Sequence, residues 1–438
     1  MEIGQCASDV RILQSHPSDL HGNKVKRVSH KIRSEMSACL APILTSSLVL
    51  YFALLAPCTS LANEPAKPSA ETKYLLFQLF IPGSPEVHFP PQGQLADTVN
   101  DITRRIASTG DKRQKLGFAV GPLMFNQSDE DTRRLIKESF KIAREKNIAV
   151  AFHIDDHMFW DARKDLFSDK NNFEWSDWKG TVSTATRLDW GLTPSKAPAQ
   201  MCLNSPAIKL AVENRAKLIG REISTELQQL NREGKGELFA GVITGWETQI
   251  GHDFATSKSL GFHALSNRGL TDKQTSAQCD AELVKLVKEF IELWSTNLAQ
   301  SGVPANKIYS HIAFTEQGLV TARNQSFAQQ VGYATADTAF GKNHRAGFST
   351  YPSENTIEQV RAEVAKHGNP PWISAEGANV IPNGAPGEAR METYLAKMFN
   401  HGAVIVNIFS WVIAGEAMKN TFFRPATEND EAITAHRK

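Results

Sequence analysis

The stretch GVITGWETQIGHDF, Gly241–Phe254, begins as a buried strand and passes directly into a carboxylate. Its opening GVIT is apolar and β-branched without polar alternation, which is typical of a parallel strand covered on both faces. Trp246 and Glu247 follow where such a strand ends. Packing gives no reason for a carboxylate there, whereas α/β proteins place functional side chains at the carboxyl ends of parallel strands.

Seven further apolar runs of this kind alternate with amphipathic segments. They are Tyr74–Ile81, Lys115–Gly121, Ile148–Ile154, Ile308–Phe314, Arg345–Thr350, Pro371–Glu376 and Ala403–Trp411. Together with Leu238–Trp246 they give the strand count of a (β/α)8 TIM barrel. A doubly wound open sheet is the alternative. However, FIPGSPEV after the first run is not the Gly-rich turn with which such a sheet holds a nucleotide.

The amphipathic segments have recognisable helix ends. Ser128 precedes a run with acidic residues in its first turn, and Pro206 stands near the start of a long helix. Gly368 and Gly402 follow the last periodic residues of two later segments, as C-terminal glycines do. We therefore predict a single (β/α)8 catalytic domain with long loops after strands three and four.

Residues 1–62 have the pattern of a targeting segment. KVKRVSHKIR supplies basic charge, APILTSSLVLYFALLAP is apolar but short for a membrane span, and residues 60–62 form a small-x-small cleavage site. We predict export to the periplasm or the exterior, with no stable membrane insertion after cleavage. A linker at 63–73 and the barrel at 74–438 follow. A lipoprotein that uses Cys58 and an uncleaved signal-anchor are the alternatives.

The composition argues against several classes of protein. The chain has 48 basic and 47 acidic residues and a net charge of +1, so we expect no nucleic-acid partner. After the targeting segment only Cys202 and Cys279 remain, which is too few for a disulfide framework and leaves their pairing open. No strand end offers a lysine for Schiff-base chemistry, and no G-x-S-x-G elbow is present.

Several strand ends carry carboxylates or aromatic rings. Strand three ends in HIDDH (His153–His157), strand four in Glu247, strand five in Glu316, strand six in Tyr351, strand seven in Glu376 and strand eight in Trp411. Strands four and seven are opposed in a barrel, so Glu247 and Glu376 are predicted to point across its mouth. Cleavage of a glycosidic bond needs such a pair of carboxyl groups. Glu316 is the alternative carboxylate if one member of this pair is misassigned. The structural alternative is that each glutamate caps a helix or pairs with an arginine.

The segment Met201–Gly220, MCLNSPAIKLAVENRAKLIG, followed by GVITGWETQIG, resembles the family 42 β-galactosidases and their relatives among the clan A glycoside hydrolases. A Cys-x-Asn-Ser-Pro-like helix start precedes a similar strand there. By this resemblance Glu247 is the acid/base, Glu376 the nucleophile, Tyr351 a hydrogen-bond partner of the nucleophile and Trp411 a platform under the sugar. The resemblance implies an oligo- or polysaccharide substrate, a retaining mechanism and no metal or organic cofactor.

Two positions depart from the clan A pattern. Trp246 stands where clan A has an asparagine before the acid/base, and KLGFAVG in strand two lacks the usual arginine. We expect Trp246 to pack on the sugar instead. Asn126, His153, Asp155 and Asp156 are then expected to contact its hydroxyl groups.

The long connection after strand three is rich in tryptophan. Asp155–Leu203 contains Trp160, Trp175, Trp178 and Trp190. Either these rings pack on one another, or they form a wall for a ligand with apolar faces, such as a sugar ring. On the second interpretation Trp160 is a substrate contact.

Two other functions remain open from the sequence. HIDDH offers His153, Asp155 and His157 as ligands of a metal-dependent hydrolase. Against this, strand one has no His-x-His motif. The other alternative is a barrel that binds carbohydrate without cleaving it.

Overall fold

Eight parallel strands form the centre of the protein. The computed structural model describes residues 71–80, 94–106, 113–156, 158–188, 195–313, 332–350, 354–377, 391–411 and 430–438, all within the compact unit Lys67–Lys438. The strands are β1 Lys73–Phe80, β2 Gln114–Gly121, β3 Ala149–Ile154, β4 Phe239–Thr244, β5 Ile308–Ser310, β6 Gly347–Thr350, β7 Trp372–Gly377 and β8 Ala403–Ile408. All eight predicted strands are confirmed.

The sheet closes on itself. Its spatial order is β5-β4-β3-β2-β1-β8-β7-β6, and parallel bridges Tyr309↔Arg345 and Ile312↔Phe348 join the two outer members. Sequential order and closure define a (β/α)8 TIM barrel. The doubly wound alternative is therefore wrong, because an open sheet of that kind reverses its strand order at a switch point.

Helices follow the strands around the barrel. Within the described ranges they are α1 Gln94–Arg105, α2 Asp129–Lys146, α3 Lys164–Phe167, α4 Pro206–Arg232, α5 Phe262–Asn267, α6 Ser276–Gln300, α7 Glu354–Lys366, α8 Met391–Asn400 and α9 Asp430–Arg437. Ser128 Oγ accepts from the Asp131 amide at 3.0 Å, and Pro206 is the first residue of α4. Gly368 and Gly402, with φ of 83° and 91°, follow α7 and α8 as expected.

The barrel interior changes from apolar to polar along the strands. The part nearer the amino ends of the strands is apolar. It contains Tyr74, Leu76, Ala119, Ala149, Ala151, Ala240, Ile243, Tyr309, Ile373, Ala375, Val404 and Ile405. Towards the carboxyl ends, on the same faces, lie Gln78 after Leu76, His153 after Ala151 and Asn407 after Ile405, all buried. We call this polar part at the carboxyl ends of the strands the upper layer of the barrel. Burial of a polar group costs free energy unless the group is hydrogen-bonded, so the upper layer must be a hydrogen-bonded network.

The loops after β3 and β4 are joined by a small antiparallel sheet that the sequence did not predict. Its three strands are Ala185–Leu188, Ser195–Pro198 and His252–Asp253. A buried carboxylate adds a second connection, because Glu174 Oε2 accepts from the backbone amides of His263 at 3.2 Å and Ala264 at 3.4 Å. The two loops therefore form one hydrogen-bonded body, which we call the loop unit.

Glu174 makes the stability of the loop unit dependent on pH. Burial raises the pKa of this carboxyl from 4.5 to about 7. The stability that it contributes is therefore full below pH 4.5 and lost as pH rises through about 7. Between pH 5 and 8 we expect the free energy of unfolding of the wild type to fall, relative to Glu174→Gln, by on the order of 3 kcal/mol.

Urea unfolding of both proteins across this pH range measures the difference. Buried His153, His344 and His436 have lowered pKa values, mainly because of burial. These histidines lower the free energy of unfolding of both proteins as pH falls below 6.5. Their effect is the same in the wild type and in Glu174→Gln, so it cancels when the two are compared. A difference that does not change with pH would show that Glu174 is ionised in the folded protein.

Three further features concern the predicted export and cysteines. Cys202 and Cys279 are separate free thiols in the structure. The predicted targeting segment and the beginning of the linker lie outside the described residues. Among the residues that are described, no helix has the length and apolar character to cross a bilayer.

Candidate active site

The turn that follows β4 has an unusual backbone. Gly245 has φ 86°, and Glu247 has φ 59°, a left-handed conformation that costs energy for a residue with a side chain. Thr248 Oγ1 donates to Asp156 Oδ2 at 2.5 Å and so fixes the turn from the end of β3. Strain held in place by neighbours at a carboxylate is a feature of functional sites.

Trp246 connects the turn to Glu376 on β7. Its indole Nε1 donates to Glu376 Oε2 at 2.8 Å, and one face of its ring stacks on His153 with centroids 4.1 Å apart. Both glutamates are nearly buried, at 5% and 4% exposure for Glu247 and Glu376. The turn and the end of β7 therefore bring the two predicted carboxylates into one cluster.

A chain of hydrogen-bonding side chains runs from Glu247 through the upper layer of the barrel. Ser349 Oγ on β6 lies 2.5 Å from Glu247 Oε1 and 2.8 Å from His311 Nε2. His311 Nδ1 lies 3.0 Å from His153 Nε2, and His153 Nδ1 lies 3.0 Å from Gln78 Oε1. The chain crosses the barrel interior and ends at β1.

The strand-three residues support the site from beneath. His153, Asp155 and Asp156 are all 0% exposed, so they do not face a space that a sugar can enter. His153 uses both ring nitrogens within the protein, and burial lowers its pKa to about 3, which keeps it neutral. In this structure the three side chains are buried supports of the site, and their contact with sugar hydroxyls stays a prediction.

Trp411 also departs from its expected place. It is 0% exposed, its Nε1 donates to Asp101 Oδ2 on α1 at 3.2 Å, and its ring meets Phe77 edge-on at 4.8 Å. It thus lies in the helix-facing core and not under a sugar. The physical reason is that β8 ends at Ile408, so strand alternation does not continue to Trp411.

Phe409 is the aromatic ring that the end of β8 presents to the site. It is partly exposed and meets Trp246 edge-on, with centroids 5.9 Å apart. Sequence reasoning missed it. Phe409 directly follows β8, and its backbone N–H still donates to the Gly377 carbonyl on β7 at 2.8 Å, so the alternation that turns Asn407 to the barrel interior extends as far as Phe409.

Two of the remaining predicted residues, Asn126 and Trp160, are described by the structure, and the others are not. Asn126 is 4% exposed and follows β2 on a loop that buried Arg215 holds by donating to the Met124 and Gln127 carbonyls. Trp160 is 0% exposed, and its Nε1 donates to the Ala199 carbonyl at 2.8 Å, so this ring packs within the loop rather than forming a ligand wall. Tyr351, Glu316, His157 and Trp190 lie outside the described residues.

Within the described ranges, no group of three or more His, Cys, Asp or Glu side chains is arranged to hold a metal ion. Both nitrogens of His153 are engaged in the hydrogen-bond chain, and Asp155 Oδ1 accepts from the Met158 amide at 3.0 Å. The interpretation of HIDDH as a metal centre is therefore without support among these residues.

Four polar residues of the site were not predicted. Gln78, His311, Ser349 and Asn407 each stand within an otherwise apolar strand run or at its end. A buried polar side chain in such a run needs a partner, and strand parity places these residues on the interior face. That signal was available in the sequence.

Comparison with known proteins gives distant likenesses only. No protein-family model and no curated protein matches the chain. Similar solved structures include the catalytic domain of a β-amylase from Paenibacillus polymyxa, at 8% identity, 78% coverage of this chain and 93% of that one, with a TM-score of 0.46. The glycoside hydrolase domain of PgaB (BpsB) from Bordetella bronchiseptica is 11% identical, with 77% and 94% coverage and a TM-score of 0.47.

A third similar structure is an exo-β-1,4-mannosidase from Opitutaceae bacterium strain TAV5. It is 10% identical, with 83% of this chain and 59% of that chain covered and a TM-score of 0.43. The particular resemblance to family 42 remains a prediction.

Proposed function

We propose that the protein is a glycoside hydrolase in which Glu247 is the acid/base and Glu376 the nucleophile. The observation that carries this proposal is the joint placement of two nearly buried glutamates at strand ends, connected through Trp246. Two carboxyl groups in one water-poor cluster are the group pair that glycosidic cleavage requires.

The hydrogen-bond partners distinguish the two roles. Trp246 Nε1 only donates, and a bond donated to Glu376 favours the ionised form that a nucleophile needs. Glu247 faces the hydroxyl of Ser349, which donates to a carboxylate or accepts from a carboxylic acid. Glu247 is therefore suited to alternate between acid and base.

The reaction then follows the retaining course. Glu247 protonates the leaving oxygen while Glu376 attacks the anomeric carbon, and a water activated by Glu247 later releases the sugar with its configuration retained. Phe409, which is partly exposed, and the Trp246 ring that it meets edge-on supply apolar surface for the sugar. Tyr351 is proposed as a further hydrogen-bond partner of Glu376, with Glu316 as the reserve carboxylate.

Export belongs to the proposal as well. The basic and apolar pattern of residues 1–62 supports delivery to the periplasm or the exterior, where polysaccharides are accessible to hydrolysis. The substrate class is an oligo- or polysaccharide, because the proposed chemistry acts on the glycosidic linkage itself.

A panel of aryl glycosides and polysaccharides tests the function. We expect release of reducing sugar on at least one member, and proton NMR of the first product should show the anomer of the substrate. Initial formation of the opposite anomer would establish inversion and remove the nucleophile role from Glu376. Binding to polysaccharide gels without turnover would instead identify a non-catalytic carbohydrate-binding barrel.

Chelation should leave the activity unchanged. The proposed chemistry uses carboxyl groups alone. Turnover after dialysis against EDTA should therefore equal that of untreated protein within error, with a known zinc hydrolase as the positive control. Loss of activity that Zn²⁺ or Mn²⁺ restores would favour the metal-dependent alternative.

A further inference from the structure

A cavity lies between the barrel and its helices, at the end of the strands opposite to the two glutamates. Its volume is about 350 Å³, which is within the range of small-molecule sites. Lys73 and Gln114, the first residues of β1 and β2, line it together with residues of α8 and α9. Glu247 and Glu376 stand at the carboxyl ends of β4 and β7. The cavity is therefore separate from the candidate active site.

The floor of the cavity is apolar and incompletely covered. Leu75 on β1 pairs in register with Leu116 on β2, and both face outwards because the next residue, Leu76, faces the barrel interior. In a closed barrel the surrounding helices bury this outer face of the strands. Here the two leucines and Phe399 on α8 line the cavity and are only partly buried. Their apolar surface is therefore available to a ligand.

The lining of the cavity has a surplus of positive charge. It contains the side chains of Lys73, Lys115 and Lys438 and one carboxylate side chain, that of Glu392. Lys438 Nζ lies 2.8 Å from Glu392 Oε2, and Lys115 Nζ lies 3.5 Å from Glu237 Oε1. These two lysines therefore already have counter-ions.

Lys73 has only neutral partners. Its Nζ donates to the Phe399 carbonyl near the C-terminal end of α8 at 3.0 Å, and it lies 5.7 Å from the centroid of the Phe399 ring. Within the residues that the structure describes, no carboxylate is in ion-pair contact with this ammonium. An ammonium has three N–H donors, and the Phe399 carbonyl takes one of them. The remaining donors are available to an anion at the edge of the apolar floor.

We propose that this cavity binds a small amphiphilic carboxylate, with its apolar body on Leu75, Leu116 and Phe399 and its carboxylate group at Lys73. The uncovered leucines select the apolar body, and the ammonium without a counter-ion selects the negative charge. A neutral ligand would leave the charge of Lys73 unpaired, and a cation would be repelled by the surplus of lysines. The inference goes beyond the proposed glycosidase activity and does not depend on it.

Four small probes separate the two features of the ligand. Octanoate has the apolar body and the carboxylate, octan-1-ol has the body without charge, octyltrimethylammonium has the body with the opposite charge, and acetate has the carboxylate alone. Calorimetric titration should show saturable binding of octanoate with a Kd of about 1 mM or tighter. Octan-1-ol should bind about 10-fold more weakly, and the other two should not saturate. Absence of octanoate binding, or equally tight binding of octyltrimethylammonium, would overturn the proposal.

Lys73→Met tests the position of the carboxylate group. Methionine keeps an apolar side chain and removes the charge, so octanoate should bind about 10-fold more weakly while the affinity for octan-1-ol is unchanged. The unchanged affinity for octan-1-ol also shows that the cavity is intact in the variant. Lys146→Met, at the exposed C-terminal end of α2, is the matched control. Equal affinity for octanoate in the wild type and in Lys73→Met would contradict the assignment.

Ala396→Phe tests the location without a change at Lys73. Ala396 lines the cavity from an exposed position on α8, so a phenyl ring there fills the cavity without entering the core. Octanoate and octan-1-ol should both lose at least about 10-fold in affinity. Undiminished binding of octanoate in this variant would place the ligand elsewhere and overturn the proposal.

Leucine methyl NMR locates the bound probe directly. The signals of Leu75 and Leu116 are assigned with Leu75→Ile and Leu116→Ile. Octanoate should shift both signals and leave that of Leu260, which is buried in the loop unit, in place. Shifts confined to leucines away from the cavity would contradict the proposal. These outcomes hold whether or not turnover is found, so failure of the cavity proposal is distinguishable from failure of the hydrolase proposal.

Discussion

Glu376→Gln is expected to lower kcat by at least about 10³-fold, because an amide cannot attack the anomeric carbon. The fold should be retained. The amide oxygen of glutamine still accepts the Trp246 Nε1 bond that Glu376 accepts at 2.8 Å. Thermal unfolding should therefore change by only a few degrees, while turnover of every substrate in the panel is lost.

Glutamine is a better test here than alanine. From the sequence, a strand-end glutamate in an open cleft is expected to contribute little packing, so alanine is the natural choice. In the structure Glu376 is nearly buried, and alanine would leave the Trp246 N–H without this acceptor at a cost of about 1–3 kcal/mol. Glu237→Gln, at the opposite end of the barrel beside Lys115, is the matched control. Full activity in Glu376→Gln would make Glu376 structural.

Glu247→Gln is expected to separate substrates by their leaving groups. A dinitrophenol needs no protonation to depart, so the first step on its glycosides should survive. Glycosides with ordinary sugar leaving groups should lose about 10²–10⁴-fold in kcat/KM, the usual contribution of a general acid. Measurement of both classes with one enzyme preparation provides an internal control for folding.

The same variant also tests the base role. Azide needs no general base, so it should restore turnover of the dinitrophenyl glycoside and yield a glycosyl azide. Equal losses on good and poor leaving groups, without azide rescue, would show that Glu247 does not handle the proton. Glu316 would then be the next carboxylate to replace.

The sequence was sufficient for the barrel because its strands are buried on both faces. Continuous apolar runs such as KLGFAVG and IAVAFHI identify strands without knowledge of their partners. The small sheet of the loop unit was not predicted, because its strands cannot be identified without knowledge of their partners. His252–Asp253 is two residues long, and its pairing with Ala185–Leu188 depends on contacts distant in sequence.

The sequence indicated the two glutamates of the candidate site but not the hydrogen-bond network beneath them. Glu247 and Glu376 were proposed because a charge at a strand end has no packing explanation, and their catalytic roles stay predictions. The use of His153 and Asp156 was not foreseen, since a motif of ligand-type residues does not reveal which partners satisfy it. His153 is occupied by Gln78 and His311, and Asp156 by Thr248. The fold determines that these side chains are buried. They were expected to contact a ligand, but in the structure they support the site from within the protein.

The loop unit limits how this barrel can be modified by engineering. In many barrels each loop at the carboxyl face is an independent module, and new specificity is introduced by exchanging one of them. Here the loop after β3 supplies two strands of the small sheet, and the loop after β4 supplies the third. A transplanted loop would arrive without its partner, leaving a cut sheet edge and Glu174 without two of its amide donors. The two loops are therefore a single cassette, to be exchanged as a pair.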